Sequence, residues 1–291
     1  MFEKLANARE QNSDSVRVSL TRVFSEANST NEIDSVAVEE PLEIRVGFHK
    51  PHEFEHRALS ITMRTPGHDF ELAVGFLFTE GIIQSESEID KILYCVPDGA
   101  PQNTVRLDLV PGVQIDFAKL DRHFYTTSSC GVCGKRSIDA LSTGAQRIDI
   151  TGLTSIPSSV IQSLPEKLTQ MQNVFDETGG LHAAGLFNAD GTPLMIREDV
   201  GRHNALDKLI GAQVLQGEHI LHDKILFLSG RTSFELLQKA VMAQIPVVAA
   251  VSAPSSLAIE AAKEFGVTLI GFVREDKFNI YCNSERISYE N

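Results

Sequence analysis

Between Val36 and Val110 the chain alternates apolar and polar residues in short runs. VAVEEPLEIRVGFH and RALSITMRT put every second residue on one face, as strands of an antiparallel sheet do. DFELAVGFLFTEGII breaks that rhythm: Leu72, Phe76 and Leu77 fall on one side of a helix, and Gly81 supplies its stop. KILYCV and NTVRLDLV return to strand-like patterning, with VQIDF close behind. Residues 1–35 are polar, rich in Asn, Ser and Glu, and read as an irregular arm.

The second half has a different grammar. A helix passes through Leu164 and Met171, followed by LHAAGLFN, PLMIRED and a helix from Asn204 to about Leu215. Then KILFLSG, PVVAAVS and VTLIGFVR, apolar and β-branched, are separated by the amphipathic RTSFELLQKAVMAQ and LAIEAAKEFG. That order implies βαβ units and a parallel sheet covered on both faces. The expected fold is α/β: a larger second half with largely parallel strands, and a smaller mixed, β-rich first half. The expected division is an arm at 1–35, a small domain at 36–120, a loop at 121–145 and a larger domain at 146–291.

Charge narrows the partners. A formal net charge of −13 argues against non-specific attraction to nucleic acid or to membrane surfaces, while leaving room for a small anion held by local donors. The longest apolar run, around Ile245 to Val251, suits a buried strand and not a membrane span. MFEKLANAREQN lacks the apolar centre of a secretion signal, so a cytoplasmic location is expected.

In a reducing compartment the close pair Cys130 and Cys133 in SSCGVCGK needs a reason other than a structural disulfide. Lys135 and Arg136, with a helix beginning near them, favour a thiolate, and Gly131 and Gly134 let the loop backbone approach another molecule. Two thiols so spaced can cycle through a disulfide, ligate a metal or pass a sulfur atom. A structural zinc site normally draws on two such pairs and this chain has one, so no metal is expected. Cys95 and Cys282 read as inert core residues.

Other clusters fall where expected strands end. In IREDVGRHNALDK, Asp199, Gly201, Arg202 and His203 lie between a strand and a helix start, a natural anion site; Asp199 can also accept the paired N–H donors of a guanine edge. Helix capping and surface salt bridges explain most of these residues singly, but not their density. In FLSGRTSFELLQK, Ser229, Gly230 and Arg231 suit a phosphate, with capping through Glu235 the plainer reading. Ser252–Ser256 repeats the arrangement. Together they point to a nucleotide-containing ligand. His182, in TGGLHAAGLF, sits where zinc deaminases place a ligand, but Ala184 occupies the position of their catalytic Glu.

GFLFTEGII, SSCGVCGK, GGLHAAGLF, REDVGRHNALDK, SGRTSFELLQKA and VSAPSSLAIEAA through GFVR occur in the order found in the formate dehydrogenase accessory sulfurtransferases, FdhD-type proteins, which this chain resembles. The resemblance implies a sulfurtransferase that takes sulfur from a cysteine desulfurase as a persulfide on Cys130, assisted by Cys133. The sulfur goes to the molybdenum cofactor, bis(molybdopterin guanine dinucleotide), which the catalytic subunit of formate dehydrogenase then receives. It further implies a cytidine-deaminase-like three-layer core, a homodimer, and a cofactor-binding stretch at Phe272, Val273, Arg274, Glu275, Asp276 and Lys277, with GDP as a mimic of the ligand. A cofactor-binding chaperone without sulfur transfer and a dithiol oxidoreductase are the competing readings.

Overall fold

A computed structural model describes residues 14–24, 28–95, 102–117, 145–149, 152 and 155–289. The thiol loop with Cys130 and Cys133 lies outside the described residues. In chain order the strands and helices are β1 (Ser15–Val23), β2 (Ser29–Ala37), β3 (Glu40–Lys50), β4 (Glu53–Arg64), α1 (Asp69–Thr79), β5 (Ile89–Tyr94), β6 (Thr104–Leu109), β7 (Ile156–Pro157), α2 (Ser158–Thr169) and α3 (Asn173–Thr178). There follow β8 (His182–Asn188), β9 (Pro193–Asp199), α4 (Arg202–Leu215), β10 (Lys224–Leu228), α5 (Phe234–Met242), β11 (Val247–Ala250), α6 (Ser256–Phe265), β12 (Thr268–Gly271), β13 (Asn279–Cys282) and β14 (Ile287–Ser288). Among the described residues, no helix is long and apolar enough to cross a membrane.

The larger sheet runs β13-β12-β11-β10-β8-β9. β10, β11 and β12 are parallel neighbours, as the βαβ pattern requires. The sheet is nonetheless mixed, not largely parallel: β8 lies antiparallel to β10 and to β9, and β13 antiparallel to β12. The outer strands enter as hairpin arms, β8–β9 and β12–β13, whose connections are too short for a crossover. Successive residues of the central strands face opposite cores. Leu226, Leu228, Val248 and Ala250 pack toward α4, α5 and α6, while Ile225, Phe227, Val247 and Ala249 pack with Leu164 and Leu168 of α2. Two-sided burial is what makes these strands continuously apolar in sequence.

The first half forms a four-stranded sheet, β4-β3-β6-β5, with α1 against it. Gly81, at φ 71°, follows the end of α1 in the left-handed conformation a helix stop needs. VQIDF adds no strand: β6 is already paired on both edges, with β3 and β5, and Val113, Ile115 and Phe117 instead pack singly against the core. One buried apolar cluster runs from Leu42, Ile44 and Leu107 through Leu72 and Leu77 of α1 to Leu206 and Leu209 of α4, and on into the larger sheet.

The expected arm at 1–35 contains structure. β1 and β2 pair antiparallel from Ser15↔Ala37 to Val23↔Ser29, because SVRVSLTRV alternates β-branched or apolar residues with polar ones. The hairpin lies against α3 through β2, and the Ser15 hydroxyl donates to Glu177 at 3.0 Å.

Candidate functional site

The ends of the central strands bring the sequence-predicted clusters together. β9 finishes at Asp199 and α4 begins at Arg202; β10 finishes at Leu228 and leads through Ser229–Ser233 to α5; β11 finishes at Ala250 and leads through Ser252–Ser255 to α6. β8 runs the other way, so its first residue, His182, pairs with Asp199 and lies at the same end. The two βα turns are tied to each other: Thr232 N–H donates to Ala253 O at 3.2 Å and Ser255 N–H to Thr232 O at 2.9 Å.

REDVGRHNALDK divides into two sets of residues with different work. Asp199 is fully buried. Its Oδ1 accepts from Gly201 N–H at 2.8 Å and Asn204 Nδ2 at 3.0 Å, and its Oδ2 from Thr65 N–H at 3.1 Å and Lys208 Nζ at 2.7 Å. No lone pair remains for a guanine edge, so Asp199 is a structural anchor and not a ligand-binding carboxylate. Asn204 extends the anchor, donating to Met63 O at 2.7 Å and accepting from Thr62 Oγ1 at 3.0 Å. These bonds clamp the end of β4 to the start of α4.

Arg202 and His203 are the other set. Arg202 is half-buried, and its Nε is enclosed with no hydrogen-bond partner among the described residues. The His203 Nε2 lies 3.5 Å from Ser233 Oγ; Ser233 opens α5 without capping it through its side chain. Burial, with the cations of Arg202 and Lys239 behind it, pushes His203 down to about 4. His182 is lowered by burial and then by Arg202. Both imidazoles are therefore neutral at pH 7, and the positive charge belongs to the two arginines, Arg202 and the exposed Arg231. A Cβ built on Gly230 would meet the His182 ring at 3.4 Å, so the turn backbone passes directly over that imidazole. Ser229 Oγ accepts from Ala183 N–H at 2.8 Å, which fixes the strand end and keeps the hydroxyl hydrogen for another acceptor.

Two turns depart from expectation. In Ser252–Ser256, Ser255 Oγ accepts from Ala258 N–H at 3.2 Å and caps α6, so its acceptor side serves the helix start and its hydroxyl hydrogen is what it can still offer. In the β12–β13 hairpin, Val273 is fully buried in the α2-side core and offers a ligand no side chain. Phe272, Arg274, Glu275, Asp276 and Lys277 are exposed, and Arg274 Nη1 donates to Val251 O at 2.8 Å, which holds the hairpin beside the end of β11. Sequence reasoning passed over Thr232, which is 1% exposed with a hydroxyl that has no partner among the described residues. Its only signal was its place in a βα turn. Cys95 and Cys282 are free and half-buried, and burial raises the Cys282 thiol.

These arginines, N–H groups and hydroxyls form a donor-rich, cationic end to an α/β sheet, which suits an anionic ligand. The FdhD/NarQ family model matches residues 37–288. A sulfur carrier protein FdhD of Mycolicibacterium paratuberculosis is 51% identical over 258 residues, 87% of this chain and 92% of that one. Its counterpart from Streptomyces avermitilis is 50% identical over 260 residues, 88% and 89% of the two chains. The crystal structure of a candidate formate dehydrogenase accessory protein from Desulfotalea psychrophila superposes with a TM-score of 0.71 at 24% identity, covering 95% of this chain and 100% of that one, and shares the fold. The chain belongs to the FdhD/NarQ family.

Proposed function

We propose that this protein is a sulfur carrier serving formate dehydrogenase: Cys130 takes sulfur from a cysteine desulfurase and gives it to bis(molybdopterin guanine dinucleotide) bound at the strand ends. The observation that carries the reading is the half-identity, over almost the full length, to proteins named sulfur carrier protein FdhD. The cationic strand ends support the acceptor half of it.

In the loading step the Cys130 thiolate attacks the terminal sulfur of the donor's persulfide. A new S–S bond forms as the donor's bond breaks, and the donor leaves as a thiolate. The cofactor, as substrate, is held through its phosphates by Arg202 and Arg231 and by the turn at Ser229 and Gly230. With Asp199 occupied, the paired N–H donors of the guanine fall to exposed carboxylates on the neighbouring hairpin, Glu275 or Asp276. Attack by Cys133 on Cys130 Sγ would expel the outer sulfur as hydrosulfide toward molybdenum and leave a 130–133 disulfide, which an external dithiol must reduce.

Intact mass tests the carrier step. After incubation with a cysteine desulfurase and free cysteine, the protein gains one sulfur atom and Cys130→Ala gains none. No gain by the wild type excludes persulfide transfer and leaves a cofactor-binding chaperone. For the strand ends, GDP affinity falls in Arg202→Ala and Arg231→Ala; unchanged affinity in both removes the phosphate assignment.

A further inference from the structure

The β1–β2 hairpin stands at the rim of the strand-end site. Ala37, at its base, lies 3.9 Å from a Cβ built on Gly180, two residues before His182, and Ser15 donates to Glu177 on α3, which leads into the same turn. From that base each strand runs nine residues, so the far end, at Val23 and Ser29, is roughly 27 Å away. The FdhD/NarQ match begins at residue 37, so the arm precedes the part of the chain that the family model describes.

The strand register sorts the side chains of the arm. Val16 lies opposite Val36, with Val18 and Leu20 on the same face, whereas Ser15, Ser35 and Ala37 share the other face with Ile33. Ser15 and Ala37 meet α3 and the Gly180 turn, so the valine face is turned away from them; Val16, Val18 and Val36 are exposed. Among the described residues β1 pairs with β2 alone, so its other edge carries backbone donors and acceptors without a strand beside them. Proteins usually blunt such an edge with proline, lysine, a bulge or a short strand. β1 is nine residues long, holds neither Pro nor Lys, and its register with β2 is unbroken. A two-stranded hairpin is marginal in water, and a third strand is what stabilises it.

Size selects the occupant. A strand added along β1 covers about 30 Å by 10 Å, roughly 300 Å² on each partner, against about 800 Å² per partner in a stable interface. That is too little to hold a second copy of the chain permanently, and it suits a partner that binds and leaves, as the client of a carrier must. We propose that the outer edge of β1 docks an extended segment of the catalytic polypeptide of formate dehydrogenase as a third strand, an inference that rests on the cofactor being held at the strand ends. Alternate apolar residues of that segment lie beside Val16, Val18 and Leu20, and the docked polypeptide has its cofactor cleft over the Arg202–Arg231 end.

The test uses the full-length chain and the formate dehydrogenase catalytic polypeptide produced without its cofactor and immobilised. The wild type binds with a measurable Kd. Val16→Lys with Val18→Lys raises that Kd by roughly tenfold or more, the scale for losing two partly buried valines, and leaves GDP affinity and the gain of one sulfur atom unchanged. Ile33→Lys, on the other face, adds a charge to the same arm and keeps the wild-type Kd. No binding by the wild type, an unchanged Kd in the double variant or an equal loss in Ile33→Lys overturns the proposal. So does a wild type that sediments as a dimer which the double variant dissociates, since the occupant is then a second copy. Absence of GDP binding by the wild type removes the strand-end reading and the proposal with it, whereas intact GDP binding with an unchanged Kd removes the proposal alone.

Discussion

Helices α1 and α4 cross through two glycines, and adding a single methyl group there tests the packing that aims the site. A Cβ built on Gly211 lies 2.6 Å from the Gly75 nitrogen and 2.8 Å from the Glu71 carbonyl carbon, with the Glu71 oxygen closer still. On the other helix, a Cβ at Gly75 lies 2.6 Å from the Asp207 carbonyl carbon. Comfortable carbon contacts need about 3.5 Å, so Gly211→Ala must push the helices apart by roughly an ångström. Every obstructing atom is backbone, so no rotamer change relieves the clash. Overpacking of this kind costs about 1–3 kcal/mol, and the absence of any side-chain escape places it at the upper end. Against that, Ala is about 1 kcal/mol better than Gly inside a helix. The net loss of about 2 kcal/mol corresponds to a Tm lower by roughly 3 °C in a chain of 291 residues, at about 2.1 cal/mol/K of unfolding entropy per residue. Since α4 opens with Arg202 and His203, the displacement should also weaken GDP binding. Thermal unfolding and calorimetric GDP titration of Gly211→Ala and Gly75→Ala are the assays. An unchanged or raised Tm in both variants, the result helix propensity alone gives, would refute the packing argument.

Two further outcomes follow from the buried groups. His203 is held near 4 in the fold against about 6.5 in the unfolded chain, so the fold favours its neutral form. The stability it contributes is complete above pH 6.5 and is lost as pH falls toward 4, on the order of 2–3 kcal/mol. Urea unfolding across that window should therefore show a smaller acid loss in His203→Gln than in the wild type. Lys208, 1% exposed, lies 2.7 Å from the fully buried Asp199; Lys208→Met leaves that carboxylate uncompensated and should cost about 3–5 kcal/mol by urea unfolding, part of it recovered in Lys208→Met with Asp199→Asn.

Periodicity read the larger half well because the two-sided burial of β10, β11 and β12 leaves unbroken apolar runs, and the amphipathic helices between them end at Gly266 or near Gln244, both at positive φ. It failed for β1–β2, where exposed Val16, Val18 and Ile33 sit among polar residues and only the partner strand makes the alternation meaningful. It also could not give the direction of β8, since a strand's apolar pattern is the same whichever way its neighbour runs.

The sequence by itself determined the site's chemistry: arginine, histidine, serine and glycine gathered where strands end, and the thiol pair in CGVC. Tertiary structure alone decided which of those groups remain available. Asp199 and Arg202 are three residues apart in one motif, yet the first is saturated by donors from β4 and α4 and the second keeps an unpartnered Nε. Which donors reach a side chain depends on elements more than a hundred residues away, such as Thr65 for Asp199, and no local pattern records that distance. The same holds for Arg286, whose three acceptors, on Pro246, Gly266 and Thr268, lie 18 to 40 residues before it in the chain.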